Sequence, residues 1–558
     1  MNSPPAFSLQ DVHFTYRRGI RPALERIALE VPRGAFIGIV GANGAGKSTL
    51  SFTFNRIVPG FFRGDFRGTV KVLGADISSA KVADMAATVG MVFQDFEAQI
   101  FSTSVHHEVA FVMENLGIPR QRMLPNIAHW LQEMALGGLT DRDPATLSGG
   151  QKQRLALASV LAAEPPVLVL DEPTTDLDPV ASQELIRCLE NLTQTGRTVV
   201  LVTHDLETLA KADTVLMMSQ GSIIGKGPPG EMLMQVEMLQ SHSVRPPQLA
   251  QVFASLGIEE YPPDPHTAAK RLADLGFSTQ SRQPLPVSPP TGTPILVVEE
   301  LRFSYRPGDE LFQGLNLSIG EGECMALLGP NGSGKTTLLN LISGIRKPHG
   351  GSIRLGGQAL PQLSPAERAK QVGIVFQNPD HQIFQSNCLE EVSFGLHHIG
   401  VPSGKIRARA MAALEVVNLA DKAGIDPFTM TKGERKKLAL ASVLACEPRF
   451  VLLDEPTTGL DAREQDALMN LVSHLVAQGH TVVFITHSIS LAARYASRVV
   501  VMSEGRVILD GHPIEVLSDE TSLARVGLIP PPAVQLGRLL GVAVRTPEEL
   551  LASITRGS

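Results

Sequence analysis

A short glycine-rich sequence occurs twice in this chain of 558 residues, each time after an apolar run that predicts a buried strand. The first copy consists of Gly41, Ala42, Asn43, Gly44, Ala45, Gly46, Lys47, Ser48 and Thr49, and the second of Gly329, Pro330, Asn331, Gly332, Ser333, Gly334, Lys335, Thr336 and Thr337. The shared pattern, G-x-x-x-x-G-K-[ST], turns backbone N–H groups inward at the start of a helix, where they bind phosphate. Two matches in the same setting predict two phosphate-binding loops, in which the lysines contact the β- and γ-phosphates.

The two loops belong to a longer internal duplication. Four polar positions recur at a constant offset of 283 residues (377−94), namely Gln94 and Gln377, Asp171 and Asp454, Glu172 and Glu455, His204 and His487. The two loop lysines are 288 positions apart (335−47), so the first copy has five extra residues, which we place in the Gly/Phe-rich segment 59–68. A duplication kept in register over this length predicts two copies of one domain.

The hydrophobic pattern predicts an α/β fold with a largely parallel sheet. Apolar runs of four to six residues, such as 35–40 and 324–328, alternate with stretches of helical periodicity. Each copy also has a strand that ends in two acids and a later strand at 198–202 or 481–485. Continuous apolar runs are typical of strands that are buried on both faces by helices.

Composition excludes several classes of protein. The net charge of −7 argues against a chain dedicated to coating nucleic acid. Cys188, Cys324, Cys388 and Cys446 form no C-x-x-C pair, which is typical of reduced thiols in a cytosolic protein. The sequence predicts neither a signal peptide nor a bilayer-spanning segment, so any membrane role requires a partner.

The paired acids predict a metal site and a catalytic base beside each phosphate loop. Asp171 and Asp454 end apolar strands, and we expect them to hold Mg²⁺ together with Gln94, Gln377 and the loop hydroxyls of Ser48 and Thr336. The next residue is Glu172 in one copy and Glu455 in the other. We expect these two carboxylates to orient the water that attacks a γ-phosphate. Solvated acids at a strand end are the alternative, which the neighbouring phosphate loop disfavours.

Three further pairs of residues are candidates for the same sites. Gln94 and Gln377 follow Val-Phe in both copies, where they can sense the metal and the attacking water, and His204 and His487 follow a threonine at a strand end, within reach of a γ-phosphate. Tyr16 and Tyr305 lie before the loops and can stack on adenine. Packing of these two tyrosines into the core remains an open alternative.

A second motif is intact in the first copy and altered in the other. It consists of Ser148, Gly149, Gly150 and Gln151 in the first copy, and of Thr431, Lys432, Gly433 and Glu434 in the second. The order of phosphate loop, Gln, LSGGQ, LDEPT and His resembles the ATP-binding cassette (ABC) family over residues 9–226 and 296–511. The resemblance implies ATP and Mg²⁺ as ligands, ATP hydrolysis, and a RecA-like core with an antiparallel β subdomain and a helical subdomain.

In that family two cassettes face each other head to tail, and each ATP lies between one phosphate loop and the other cassette's signature motif. The resemblance therefore implies that the site with Lys335 and Glu455 receives the intact motif. The site with Lys47 and Glu172 receives the altered one. Lys432 replaces a glycine that permits close approach to phosphate, and the Glu434 carboxylate adds negative charge unless the lysine compensates it. We expect slower, but not abolished, turnover at that site.

A narrower resemblance follows each glutamine. Phe376–Phe384 reads FQNPDHQIF, and the corresponding segment in the first copy, Phe93–Phe101, reads FQDFEAQIF. These segments resemble the ATPase subunits of energy-coupling factor (ECF) importers of vitamins and transition metals. The resemblance implies two partners, an integral membrane coupling subunit and a substrate-capture membrane subunit, and a peripheral location on the cytoplasmic face of the membrane. Apolar residues here either line a docking groove or pack inside the helical subdomain, namely Ile100, Phe101, Ile383 and Phe384.

We divide the chain into cassettes at 1–230 and 294–515, with further segments at 231–293 and 516–558. The sequence pattern of segment 231–293 predicts a short helix at 267–275 and a true linker at 281–293. Parts of this segment resemble the tail at 516–558. Each copy then has a small C-terminal appendage; a disordered linker and tail are the alternative. A soluble twin-cassette protein acting on ribosomes or DNA remains the alternative function. The Pro-rich linker with few charges disfavours it.

Overall fold

A computed structural model describes residues 4–174, 177–279 and 294–556. The chain forms two compact units, Met1–Pro263 and Asp264–Ser558, and each is described here by itself. The predicted linker, 281–293, lies outside the described residues.

The first unit contains two sheets and a group of helices. Its strands are β1 (Phe7–Tyr16), β2 (Leu24–Val31), β3 (Phe36–Val40), β4 (Gly64–Val72), β5 (Ala75–Asp76), β6 (Val89–Val92), β7 (Val167–Asp171), β8 (Thr198–Val202), β9 (Thr214–Ser219) and β10 (Ser222–Gly227). Its helices are α1 (Lys47–Phe54), α2 (Ile57–Gly60), α3 (Val82–Met85), α4 (Val105–Asn115), α5 (Arg120–Glu133), α6 (Gly149–Ala162), α7 (Pro179–Gln194), α8 (Pro229–Met232), α9 (Val236–Ser241) and α10 (Gln248–Ser255).

The second unit repeats this plan after an added helix and strand. Its helices are α11 (Pro265–Asp274), α12 (Lys335–Ile342), α13 (Pro365–Gln371), α14 (Cys388–His398), α15 (Ser403–Val416), α16 (Lys432–Leu444), α17 (Ala462–Ala477), α18 (Ile489–Tyr495), α19 (Pro513–Ser518), α20 (Glu520–Arg525), α21 (Pro532–Leu539) and α22 (Pro547–Leu551). Its strands are β11 (Phe277–Thr279), β12 (Pro294–Ser304), β13 (Glu310–Gly320), β14 (Cys324–Leu328), β15 (Gly350–Leu355), β16 (Gln358–Ala359), β17 (Val372–Val375), β18 (Phe450–Asp454), β19 (Thr481–Ile485), β20 (Arg498–Ser503), β21 (Arg506–Gly511) and β22 (Ile554–Arg556).

The larger sheet confirms the predicted α/β class. Its order is β10-β9-β3-β8-β7-β6 in the first unit and β17-β18-β19-β14-β20-β21 in the second, and all neighbours are parallel except the terminal pairs β9/β10 and β20/β21. A smaller antiparallel sheet has the order β2-β1-β4-β5 or β13-β12-β15-β16. The parallel strands end at one edge of the sheet, and this brings the predicted site residues together.

Alternation along a buried strand explains how the sheet joins two cores. In β7, Val167 and Val169 belong to a cluster with the smaller sheet and α1, whereas Leu168 and Leu170 pack with the helices α4–α7. Because successive side chains of a strand point to opposite faces, an unbroken apolar run is what a sheet covered on both sides requires.

The segment after the first copy packs with the tail of the second. Helix α11 contacts α21, and β11 pairs antiparallel with β22 through Phe277↔Arg556, Ser278↔Thr555 and Thr279↔Ile554. Helix α11 confirms the short helix predicted at 267–275. The end of segment 231–293 therefore belongs to the second compact unit.

Within the part of the chain that the structure describes, every helix is too short or too polar to cross a lipid bilayer.

Candidate nucleotide-binding sites

Each predicted phosphate loop joins a buried strand to a helix, as β3 to α1 and β14 to α12. Gly41 has φ 156°, and a Cβ added to it would lie 2.4 Å from the Met218 carbonyl oxygen. Gly329 is equally confined, because a Cβ there would lie 2.1 Å from the oxygen of Met502. Only glycine lets the backbone turn this tightly, so both loops form a narrow cradle of main-chain groups at a helix N-terminus.

Both loop lysines curl back over their own loops. Lys47 Nζ donates to the carbonyl oxygens of Gly41 at 2.8 Å and Ala42 at 3.0 Å. Lys335 Nζ donates to those of Gly329 and Pro330, both at 2.8 Å. Each lysine is 7% exposed. The ammonium group is thus held within the curve of the loop, and this position fits the predicted contact with phosphate oxygens.

The strand-end aspartates lie beside the loop hydroxyls. Thr336 Oγ1 donates to Asp454 Oδ1 at 3.4 Å, and the Ser48 hydroxyl is close enough to Asp171 to act against the rise in the pKa of that acid. Burial raises the pKa of both acids, that of Asp454 to about 6 with a further contribution from Glu455. Among the described residues, Asp171 Oδ1 is a buried oxygen without a hydrogen-bond partner. Hydroxyl and carboxylate oxygens with spare bonding capacity are the donors that Mg²⁺ prefers, so both pairs fit that ion.

The two glutamates share an unusual backbone conformation and a histidine partner. Glu172 has φ 54° and Glu455 has φ 46°, in the left-handed region that non-glycine residues seldom adopt. His204 Nε2 lies 3.2 Å from Glu172 Oε1, and His487 Nε2 lies 3.1 Å from Glu455 Oε1. The structure therefore joins the predicted base and the predicted histidine in each copy.

Burial sets the protonation of the first pair. It raises the pKa of Glu172, although Lys47 opposes the rise, and it lowers the pKa of His204 to about 3, with Lys47 contributing. The imidazole is therefore neutral near pH 7, so its contact with the carboxyl group is not an ion pair, and the hydrogen bond between the two residues runs from the His204 backbone N–H to Glu172 Oε2 at 3.3 Å.

The glutamines and tyrosines lie at the edges of these sites. Gln94 and Gln377 are exposed just beyond the carboxyl ends of β6 and β17, the strands next to those carrying the acids. The Tyr16 hydroxyl lies 3.0 Å from Thr49 Oγ1, and that of Tyr305 lies 2.8 Å from Thr337 Oγ1, which holds both rings against the phosphate-loop helices. Tyr305 is 52% exposed, and the Arg346 guanidinium lies over one face of its ring at 4.7 Å from the centroid.

The second motif forms a helix start in both copies. Ser148 caps α6, accepting a hydrogen bond from the Gln151 N–H at 3.4 Å, while Gln151 Oε1 accepts one from the Ser148 N–H at 3.0 Å. Thr431 and Glu434 exchange the same two bonds at the start of α16, at 3.2 and 3.1 Å. This reciprocal capping satisfies backbone donors that the helix itself cannot.

The sequence profile of the ABC transporter family matches residues 24–175 and 312–458, which is more than half of the chain. The chain belongs to the ABC transporter family. Its large and small sheets, phosphate loops and helical parts are those of two tandem P-loop ABC nucleotide-binding domains.

Two similar proteins align with nearly the full length of this chain. A protein of Caldanaerobacter subterraneus subsp. tengcongensis, named as an ABC transporter ATP-binding protein, is 38% identical over 98% of both chains. One of Methanosarcina acetivorans with the same name is 39% identical over 97% of this chain and 92% of its own. Among solved structures, CbiO1 of Clostridium perfringens, described as part of the ABC transporter complex CbiONQ, is 36% identical, with a TM-score of 0.39, over 42% of this chain and 94% of its own.

In the altered signature motif of this ABC protein, Lys422 compensates the charge of Glu434. Lys422 Nζ forms a short ion pair with the Glu434 carboxylate, and the side chain of Lys432 instead lies against Gly459. Partial burial acts to raise the pKa of Glu434, but hydrogen bonds from Lys422 and Thr431 outweigh it and lower this pKa. Lys422 therefore makes the compensation that the sequence left open for Lys432.

The structure also separates the four apolar residues after the glutamines. Ile383 is 3% exposed and belongs to the core of the helical part, and Ile100 packs against the equivalent core. Phe101 and Phe384 are 60% and 58% exposed. Internal packing, the alternative for this segment, thus holds for the isoleucines, and the phenylalanines remain available to a partner.

Two sets of hydrogen bonds made by buried charged side chains in these ABC domains were not predicted from the sequence. Buried Glu391 accepts hydrogen bonds from the N–H groups of Phe384 and Gln385 at 3.0 and 2.9 Å, and Glu108 does the same in the first copy. Lys436, 2% exposed, donates to the backbone beyond Glu455. The sequence did contain a signal for these contacts, namely a charged residue at a helix position that faces the core. Such a residue requires a buried hydrogen-bond partner.

Proposed function

We propose that this ABC protein is the ATP-hydrolysing subunit of an ECF-type importer, in which it energises uptake of a vitamin, vitamin precursor or transition metal through separate membrane subunits. The observation that carries the proposal is the pairing, twice in one chain, of a phosphate loop with a buried glutamate whose carboxylate lies in contact with a histidine. This arrangement suits hydrolysis of ATP, and the exposed phenylalanines beside it suit a membrane partner.

The residues have distinct roles in the proposed reaction. The loop N–H groups and Lys47 or Lys335 bind the phosphates, and Tyr16 or Tyr305 supports the adenine. Mg²⁺, bound through Ser48 and Asp171 or through Thr336 and Asp454, supplies a positive charge that stabilises the negative charge of the transferred phosphoryl group. Glu172 and Glu455 orient water for attack, and the histidine in contact with each carboxylate helps to position it.

We further propose that the two sites differ in turnover. By family resemblance, the Glu455 site receives the intact signature motif and the Glu172 site the altered one. Lys432 adds bulk where the intact motif has Gly149, and the Glu434 carboxylate carries an ion pair with Lys422. Slower hydrolysis at the Glu172 site follows, because its signature residues approach phosphate less closely.

The partner proposal rests on Phe101 and Phe384. Each exposed ring packs edge-on against a second half-exposed ring, Phe111 at 4.4 Å and Phe394 at 4.8 Å between centroids. The buried glutamates Glu108 and Glu391 hold the backbone of these segments in place. A rigid, exposed aromatic pair suits the apolar face of a short helix from a transmembrane subunit.

The test is expression of the tagged full chain in its own cells, followed by detergent extraction and purification. We expect small integral membrane proteins to co-purify and the purified complex to hydrolyse ATP. Sedimentation with ribosomes in place of membrane proteins would contradict the transport role. Absence of ATPase activity from a complex that binds ATP would contradict hydrolysis.

A further inference from the structure

A buried lysine distinguishes the backbone around the second catalytic glutamate from that around the first. Lys436 Nζ donates to the carbonyl oxygen of Glu455 at 2.9 Å and to that of Pro456 at 3.0 Å. Lys436 is 2% exposed and lies on α16, two residues beyond Glu434. An ammonium group is costly to bury, so its place here is determined by these acceptors and the acids around them.

We propose that Lys436 is a positioning residue that fixes the Glu455 carboxylate for hydrolysis by holding the two successive peptide groups that follow it. The direction of a residue's carbonyl group depends on the ψ angle of that residue. The two hydrogen bonds from Lys436 therefore restrict the ψ angles of Glu455 and Pro456. With the Glu455 N–H donating to the Ile485 oxygen at 3.2 Å, both peptide groups that flank the glutamate are held. This inference rests on the proposed hydrolysis of ATP.

The first copy has a different side chain at this position. Gln153, which occupies the position of Lys436, donates from Nε2 to the Pro173 carbonyl oxygen at 2.6 Å. Pro173 corresponds to Pro456, so the bond to this second carbonyl is common to both copies. Gln153 Nε2 thus bonds the carbonyl of the proline, whereas Lys436 Nζ bonds the carbonyls of both the proline and the glutamate.

The strained backbone of Glu455 explains why a hydrogen bond from Lys436 to its carbonyl oxygen would affect catalysis. At φ 46° the glutamate is in a region that its side chain disfavours, and relaxation of its backbone would swing the carboxylate away from His487. Catalytic groups lose rate steeply when displaced by fractions of an ångström. A second anchor on this backbone therefore acts on the same copy that we propose turns over faster.

The test uses the purified full chain with the Glu172→Gln substitution as background, which leaves the Glu455 site as the main source of activity. In that background we expect Lys436→Met to lower kcat about ten- to a hundredfold with little change in the KM for ATP. We expect Lys436→Arg, which keeps a buried donor, to retain most of the rate. Lys436→Gln, which restores the residue of the first copy, lies between them.

Three measurements separate positioning from folding. Binding of trinitrophenyl-ATP and the thermal midpoint are measured for each variant, and Gln153→Met serves as the matched change in the other copy, with a smaller expected loss of kcat. An unchanged kcat in Lys436→Met, or a loss of kcat matched by loss of ATP binding, overturns the role of Lys436 alone. Absence of hydrolysis by the unsubstituted chain contradicts the proposed function itself, and with it this inference.

Discussion

The first and second copies start the helix after their signature motifs with the same two hydrogen bonds but with different chemistry. Gln151 and Glu434 both accept from the backbone N–H of the capping residue, at 3.0 and 3.1 Å. A neutral amide in one copy is thus replaced by a carboxylate in the other, and Lys422 neutralises it. The substitution preserves the fold of the motif, so we expect its consequence to fall on the nucleotide that we propose this motif contacts.

The largest difference that we expect between the copies is in catalysis. Glu455→Gln removes the base of the site that we propose is faster and is expected to lower ATPase activity about a hundredfold or more. Glu172→Gln is expected to leave a measurable fraction, because the faster site is intact. The measurement is steady-state phosphate release with saturating Mg²⁺ and ATP, and equal losses in the two variants would refute the asymmetry.

Replacement of the buried acid Asp454 in the second copy is expected to have a smaller, pH-dependent effect on stability. Burial raises the pKa of Asp454 from 3.8 to about 6, so its ionised form destabilises the folded chain by about 2–3 kcal/mol near pH 7. Asp454→Asn is expected to raise the thermal midpoint of the metal-free chain at neutral pH. The gain shrinks as the pH falls from about 6 towards 4, because the folded-state acid then takes up a proton and no longer carries a buried charge.

The control for this prediction is the exposed Asp309→Asn, which is expected to leave the midpoint unchanged at both pH values. A gain that persists below about pH 4 would show that the asparagine acts by another route than removal of a buried charge. The same substitution at Asp171, whose pKa burial also raises, compares the two copies directly.

The exposed aromatic residues test the partner proposal in both copies. Phe384→Ala together with Phe101→Ala is expected to lower co-purification with membrane proteins about tenfold, because two apolar contacts are lost, and to leave the ATPase activity of the isolated chain unchanged. Phe61→Ala, which removes a 73% exposed ring elsewhere, is the matched control. Wild-type recovery of membrane proteins by the double variant would rule out docking at these rings.

The smallest expected effect concerns the altered cap. Glu434→Ala removes the reciprocal hydrogen bond with Thr431 and is expected to lower the free energy of unfolding by about 1 kcal/mol, whereas Glu434→Gln keeps the bond and changes it by a few tenths. Differential scanning calorimetry measures both. A stability loss in Glu434→Gln as large as in Glu434→Ala would mean that the ion pair with Lys422, and not the cap, carries the stabilisation.

Local sequence patterns predicted the fold and much of each site. The strand 198–202 and the helix at Pro179 were predicted because apolar runs and capping residues act over a few neighbours. The pairing of Asp454 with Thr336 was also predictable, since the carboxyl ends of parallel strands meet at one edge. The functional roles of these residues remain predictions.

Contacts between segments that are distant in the sequence were harder to predict. Nothing in the sequence near Glu434 indicates that Lys422 is its partner, and the burial of Ile383 beside exposed Phe384 depends on the turn fixed by Glu391. The packing of α11 against α21 joins segments more than 250 residues apart, which no local pattern specifies.

The sequence by itself determined the two α/β domains, the phosphate loops and the altered motif, because each depends on residue type and on spacing within one strand–loop–helix unit. Only the tertiary structure decided that His204 and His487 contact the glutamates, that Lys422 neutralises Glu434, and that Lys436 bonds the backbone of Glu455. The physical reason is that a buried charged or polar group takes whichever partner the folded chain brings within hydrogen-bonding distance, and that partner is set by packing and not by separation along the sequence.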